Sequence, residues 1–321
     1  MILDKFVVKS YHKRFLKRHD PDGTTFYFSP MDYDGLKEEH FSFPGDKGQR
    51  LAGYVYYFGT KRTDRIVIFE HGLGNGHVGY FVEIATLAQR GFTVVTYDHT
   101  GTNRSEGEHI RCLAQSLADL RECVKTVESM PEYKDAEISV VGHSWGGFST
   151  MNIAAFCPKI KRVVAMSGFI TAHQVLDDVF IGFIKRYRPI VYRMEDDAIP
   201  ELAGISAVDS LRNSNVSALI IHSKDDPVVN YKHTFEVLER ELGDIDRIEF
   251  LSVDGKAHKP NCTHEAVRYR KAYAHQTRLK KRHGMLKTPE QKAEFIKHYD
   301  WKLINEQDPE VWDRIVEFLN K

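Results

Sequence analysis

The sequence predicts an α/β fold in which a mainly parallel sheet is covered on both faces by helices. Three observations predict it. Apolar β-rich runs alternate with helical periodicity along most of the chain. An alternating segment with a turn precedes them. The five residues Gly142-His143-Ser144-Trp145-Gly146 stand between an apolar run and a small-residue stretch, as in a strand, a sharp turn and a helix.

In chain order, residues 3–19 have the pattern of a basic amphipathic helix. Leu3, Phe6, Val7, Tyr11 and Phe15 fall near one face, and lysines and arginines lie elsewhere. Such a helix suits either a surface helix docked on the domain or an interfacial membrane anchor. Residues 38–58 alternate around Gly45-Asp46-Lys47-Gly48 and read as an antiparallel hairpin. Strands follow at 65–70, 92–97, 136–141, 161–167, 216–222 and 247–253, with helices at 80–90, 112–129, 147–156 and 231–242. Residues 309–320 close the chain as a helix, with Pro309 near its start and Val311, Trp312, Ile315, Val316 and Leu319 spaced to face a core.

Two stretches break the rhythm of a single domain spanning 1–321. Residues 170–215 are longer than one crossover needs and rich in aromatic and aliphatic side chains, which suits a cap inserted between strands. Residues 259–308 form a basic helical insertion before the final helix. Within 259–300, eleven Lys/Arg face four acids.

Composition narrows the function. Lys+Arg and Asp+Glu number 45 each, so no global field favours nucleic acid or a membrane. Cys112, Cys123, Cys157 and Cys262 have no CxxC or metal spacing and read as free thiols of a cytoplasmic protein. No apolar run is long enough to span a bilayer, and no signal peptide is apparent, so membrane contact would be peripheral. His264-Glu265-Ala266-Val267-Arg268 begins like a zinc motif, but Arg268 occupies the second ligand position. Neither a metal nor a cofactor is expected.

Ser144 is the candidate nucleophile, although about one chain in ten of this length would carry such a pentapeptide by chance. A serine hydroxyl needs a base, and the base needs an orienting carboxylate. Both are available on loops after later strands, in the order Ser, acid, His. Residues 218–221 lead into His222-Ser223-Lys224-Asp225-Asp226-Pro227, and residues 248–253 lead into Asp254-Gly255-Lys256-Ala257-His258. Gly74-Asn75-Gly76-His77-Val78-Gly79 with Asp98 also matches a dinucleotide fingerprint, so an oxidoreductase is a rival. Against it, the glycines begin beyond the strand tip, and the Ser, Asp and His motifs go unexplained.

With His71-Gly72-Leu73-Gly74, with Tyr97-Asp98-His99-Thr100-Gly101 through Arg104-Ser105-Glu106-Gly107, and with the three loops above, the chain resembles the α/β-hydrolase superfamily. Its nearest likeness is the monoacylglycerol lipase, lysophospholipase and serine aminopeptidase-like branch, over roughly residues 40–258 and the last helix. The resemblance implies Ser144 as nucleophile, His258 as general base then acid, and Asp226, in preference to Asp225, as its orienter. It also implies the backbone N–H groups of Leu73 and Trp145 as an oxyanion hole. The implied activity is hydrolysis of a small-molecule ester or lipid-like substrate with an apolar acyl group, such as a monoacylglycerol or lysophospholipid. An amide or peptide hydrolase of the serine aminopeptidase type is the alternative, and a non-enzymatic relative of the same scaffold a further one. The chain departs from the family pattern at Ser223, which replaces a turn glycine, at Asn103, where glycine is common, and in the 259–308 insertion.

Overall fold

The computed structural model describes residues 2–74 and 76–321, and the side chains from residue 6 onward, Asn75 excepted. Leu3 of the predicted amphipathic face and Asn75 of the glycine-rich loop therefore lie outside the described side chains.

Eight strands form one sheet: β1 (Leu36–Pro44), β2 (Arg50–Phe58), β3 (Arg65–Glu70), β4 (Thr93–Tyr97), β5 (Glu137–His143), β6 (Ile160–Met166), β7 (Ser217–Ser223) and β8 (Ile248–Val253). Their spatial order is β1-β2-β4-β3-β5-β6-β7-β8. The hairpin β1–β2 is antiparallel and β2 pairs antiparallel with β4, whereas every pair from β4 through β8 is parallel.

The helices are α1 (Ile2–Tyr11), α2 (Phe81–Gln89), α3 (Gln115–Ser129), α4 (Trp145–Asn152), α5 (Ala172–Val179), α6 (Arg188–Ala198), α7 (Ala207–Arg212), α8 (Tyr231–Leu242), α9 (His264–Arg282), α10 (Pro289–Lys297), α11 (Trp301–Ile304) and α12 (Pro309–Leu319).

The strand alternation explains the layers. Val67, Phe69, Val94, Val141, Val164, Leu219 and Ile221 point to one face, where they pack with α2 and α12. Ile66, Ile68, Val95, Val140, Val163, Ala218 and Ile220 point to the other, under α3, α4 and α8. A parallel strand buried on both faces has no polar side to show, which is why these runs read as almost continuously apolar. In the last helix Val311, Trp312, Ile315 and Leu319 are buried as predicted, but Val316 is only half-buried and Phe318, two residues on, takes the place in the core expected of it.

The N-terminal helix is shorter than the sequence pattern suggests. It ends at Tyr11, gives one wider turn over His12–Leu16, and the chain then leaves helical geometry. The loop after β4 offers the competing partners. Arg18 donates to the carbonyls of Ser105 (3.0 Å), Gly107 (2.8 Å) and Asn103, and His19 N–H donates to Gly101 O. The N-terminal segment thus runs as a strap. Further on, Tyr273 of α9 donates to Thr24 O (2.9 Å), Lys292 of α10 donates to Asp22 O (2.6 Å), and Phe26 packs on Trp301. The 259–308 segment holds three helices, anchored by buried Phe295, Trp301 and Ile304, with most of its charges in solvent.

At its start the strap is tied to α6. The Tyr11 hydroxyl donates to Glu195 Oε1 (2.5 Å), and Leu113 N–H donates to Glu195 Oε2 (2.6 Å). Burial pushes the Glu195 carboxyl up from its ordinary 4.5 to about 7, against the lowering effect of these two donors. The folded protein therefore holds this proton after the unfolded chain has lost it. Stability is full below about pH 4.5 and declines as pH rises toward 7, by about 3 kcal/mol for this group. Glu195→Gln should flatten the fall in melting temperature between about pH 5 and about pH 8. An unchanged slope in thermal melts would contradict the assignment.

Candidate active site

Four loops at the carboxyl ends of β3, β5, β7 and β8 converge, the position where parallel sheets expose their sites. Ser144 is the hinge residue between β5 and α4, with φ +58° and ψ −115°. A non-glycine residue there is strained by about 1–3 kcal/mol, and its neighbours must lack bulk. A Cβ on Gly146 would stand 2.2 Å from the Glu70 carbonyl oxygen, and one on Gly142 would stand 2.2 Å from Thr150 Oγ1. The elbow can therefore close on β3 and α4 only with glycine at both places.

The structure brings Ser144, His258 and Asp226 together. Ser144 Oγ lies 2.9 Å from His258 Nε2, and His258 Nδ1 lies 2.8 Å from Asp226 Oδ2. A carboxylate can only accept, so Nδ1 carries the proton and Nε2 is left to accept from the serine hydroxyl. Asp226 has a fully buried side chain. Its Oδ1 accepts the N–H groups of Val228 (2.8 Å) and Val229 (3.1 Å). Burial alone would raise this carboxyl, but hydrogen bonds from His222 and His258 hold it well below the usual carboxylate range. Ser144 and His258 are partly exposed, so a substrate can reach them.

Asp225 has a different place. Its Oδ1 accepts from Ser223 Oγ (2.6 Å) and from Ala257 N–H (2.9 Å), bracing the backbone one residue before His258. Ser223, at the family's glycine position, does not need a left-handed backbone and also accepts the Lys256 N–H. Asn103 does need one, at φ +42°, which asparagine tolerates better than most residues.

Leu73 follows Gly72, and Gly72 is packed so closely that a Cβ would stand 3.3 Å from Ser144 Cβ. Trp145 begins α4 directly after the serine.

Three side chains support the site: His222 and Lys259, to which the sequence gives no role, and His143, which it reads as a framework group. His222, at the end of β7, is 3.2 Å from Asp226 Oδ2, four residues before the acid it contacts. His143 donates through Nε2 to the His258 carbonyl (2.7 Å) and accepts through Nδ1 from the Tyr80 hydroxyl (2.9 Å). Burial, followed by the Lys259 charge, holds its imidazole well below the ordinary range, so it is neutral. Lys259 stands 4.1 Å over the Tyr80 ring and 3.3 Å from Glu83, which fixes the residue next to His258. The first of these had a visible signal, a histidine closing the strand that precedes the acidic loop.

The dinucleotide reading meets a physical obstacle at Asp98. Its side chain is buried, and its oxygens are taken by His77 N (3.0 Å), His77 Nδ1 (2.9 Å), Asn103 Nδ2 (3.0 Å) and the Tyr54 hydroxyl (3.2 Å). It is not available to a ribose.

Solved structures share this architecture. The esterase Pf2001 of Pyrococcus furiosus superposes with a TM-score of 0.60 at 16% identity, covering 82% of this chain and 98% of that one. An acetyl xylan esterase from Paenibacillus sp. R4 superposes with a TM-score of 0.56 at 16% identity, over 73% and 82% of the two chains. The fold is that of the α/β-hydrolases. Residues 61–203 match the family described as serine aminopeptidase, S33. The monoglyceride lipase of Rattus norvegicus is 32% identical over 127 residues, 38% of this chain and 39% of the lipase. The resemblance to the monoacylglycerol lipase and serine aminopeptidase-like branch is thereby borne out. The match spans about two fifths of the rat enzyme's length. Among the described residues no helix is long and apolar enough to cross a membrane.

Proposed function

We propose that the chain is a serine hydrolase that cleaves a carboxylic ester through an acyl-enzyme. The observation that carries this reading is the unbroken hydrogen-bonded chain from Ser144 through His258 to Asp226. Ser144 Oγ attacks the ester carbonyl carbon while His258 Nε2 takes its proton. The negative charge that develops on the carbonyl oxygen is held by the N–H groups of Leu73 and Trp145. His258 then returns the proton to the leaving alkoxide, which departs as the alcohol. Water, deprotonated by the same imidazole, releases the acid and restores the serine. The matched segment of a monoglyceride lipase supports an ester over other acyl substrates.

The segment 170–215 is proposed as a cap. Its helices help enclose a cavity of about 170 Å³ that reaches Phe148, one turn beyond Ser144 in α4. Phe148, Leu202 and Ile205 give it apolar wall, and Glu195 and Asp196 give it acid. Drug-sized ligand pockets run from about 300 Å³ upward, so this cavity suits a short acyl group, and a long chain would require the cap helices to part. The acidic lining favours one second reading, an aminoacyl amide whose ammonium faces Asp196, as an aminopeptidase would bind it.

A p-nitrophenyl ester series from acetate to palmitate, run beside aminoacyl p-nitroanilides, tests both. The expected result is highest kcat/KM on the short esters. Faster turnover of the anilides at matched concentration would transfer the assignment to the aminopeptidase reading.

A further inference from the structure

Two segments far apart in the sequence share a composition that the chain as a whole lacks. Residues 6–19 contain five Lys/Arg and no Asp or Glu, and residues 179–193 contain four and again no acid, in a chain with 45 of each sign. The fold places them side by side. Helix α1 packs against α6, and a cavity of about 240 Å³ opens between residues 6–15 and residues 179–184, walled by Phe6, Tyr11, Phe15, Val179, Phe180 and Ile184.

Large apolar side chains project from the surface at this place. Phe6 is 64% exposed, Ile181 64% and Phe183 75%. Cations stand among them: Lys13, Arg14, Lys185 and Arg186 are exposed, and Arg186 lies 5.8 Å from the Phe183 ring centre. Arg18 and Arg188 differ, being bound to backbone carbonyls and to Asp177. One exposed phenylalanine would need no account. Phe6 lines the apolar cavity, Ile181 and Phe183 stand in the chain between its wall residues Phe180 and Ile184, and the cations stand on the same two segments, so together they form an amphipathic face.

We propose that this face, built jointly by α1 and residues 179–193, docks on the surface of an anionic phospholipid bilayer. Phe6, Ile181 and Phe183 enter the boundary between headgroups and acyl chains, and the lysines and arginines extend to the phosphates. Charge complementarity selects this occupant. A second copy of the chain would set Lys13, Arg14, Lys185 and Arg186 against the same four exposed cations of its partner. A nucleic acid would satisfy the cations but leave an isoleucine and two phenylalanines in water. The docking does not depend on the hydrolase reading. It would turn the cap segment, and with it the cavity near Ser144, toward the lipid.

Vesicle sedimentation with the full chain tests it. The vesicles are phosphatidylcholine alone or phosphatidylcholine with about 30 mol % phosphatidylglycerol, in about 0.1 M and about 0.5 M salt. The protein is expected to pellet only with the anionic vesicles, and only at the lower salt. Lys185→Glu with Arg186→Glu should lower partitioning by more than about twentyfold, and Phe6→Ser with Phe183→Ser by about tenfold. Each variant is first checked for unchanged circular dichroism and melting. Arg278→Glu with Arg282→Glu, on basic α9, is expected to leave partitioning within about twofold of the parent. The proposal is overturned if the parent chain does not pellet, or if the α9 pair matters as much as the cap pair. It is also overturned if the Phe pair changes nothing, if the face makes a dimer by sedimentation velocity, or if single-stranded DNA binds more tightly than the vesicles. Labelling of Ser144 by a fluorophosphonate in the same samples reports on the hydrolase reading separately.

Discussion

Ser144→Ala should lower kcat on the best ester by about 10⁶, the scale seen when the nucleophile of a working triad is removed. The reason is specific to this elbow. The hydroxyl sits 2.9 Å from His258 Nε2 on a backbone held at φ +58°, so no neighbouring group can take its place. The fold should survive, because alanine is smaller than serine and the side chain is partly exposed. Equal melting temperatures together with lost turnover would separate a chemical effect from a structural one. Retention of more than about a hundredth of the activity in a clean preparation would remove Ser144 from the mechanism.

Asp226→Asn should cost about 10⁴ in kcat, by analogy with the same change in a serine protease triad. Here the geometry dictates how the amide must sit. Oδ1 receives two backbone N–H groups, from Val228 and Val229, so the carbonyl oxygen of the asparagine must stay there. The NH₂ group then replaces Oδ2 and points a donor at His258 Nδ1 and at His222 Nε2. His258 is forced to the tautomer with its proton on Nε2, facing Ser144, where it cannot accept the serine proton. His222 loses an acceptor but keeps the Val229 carbonyl at 3.1 Å. The variant should still bind substrate, so kcat should fall with little change in KM. A loss confined to KM would mean that Asp226 shapes binding and not the imidazole.

Much of this was legible in the chain because it rests on patterns that local chemistry enforces. Strands β3 to β7 are largely buried on both faces, and their mostly apolar runs advertise it, whereas β8 at the sheet edge is only half-buried. The elbow shows as two glycines around a serine, since a Cβ at either place meets backbone or side chain at 2.2 Å. The acid and the histidine follow strand ends, so their order along the chain predicts their meeting. What could not be read is long-range. Tyr11 meets Glu195 across 184 residues, and Thr24 meets Tyr273 across 249. The strap they form ends the first helix early, because the β4 loop offers Arg18 three carbonyls that no helical periodicity can reveal. Lys259 illustrates the same limit at the site. In the sequence it is the first of many charges in a basic insertion, whereas in the fold it is a mostly buried cation over Tyr80, beside Glu83.

The central claim is that Ser144 is the nucleophile of a covalent mechanism, and peptide mass spectrometry after fluorophosphonate treatment tests it most directly. A single phosphonyl adduct on the peptide containing Ser144, absent from Ser144→Ala and slowed in Asp226→Asn, is the predicted result. A folded protein that stays unmodified, or that carries the adduct on another residue, would contradict it.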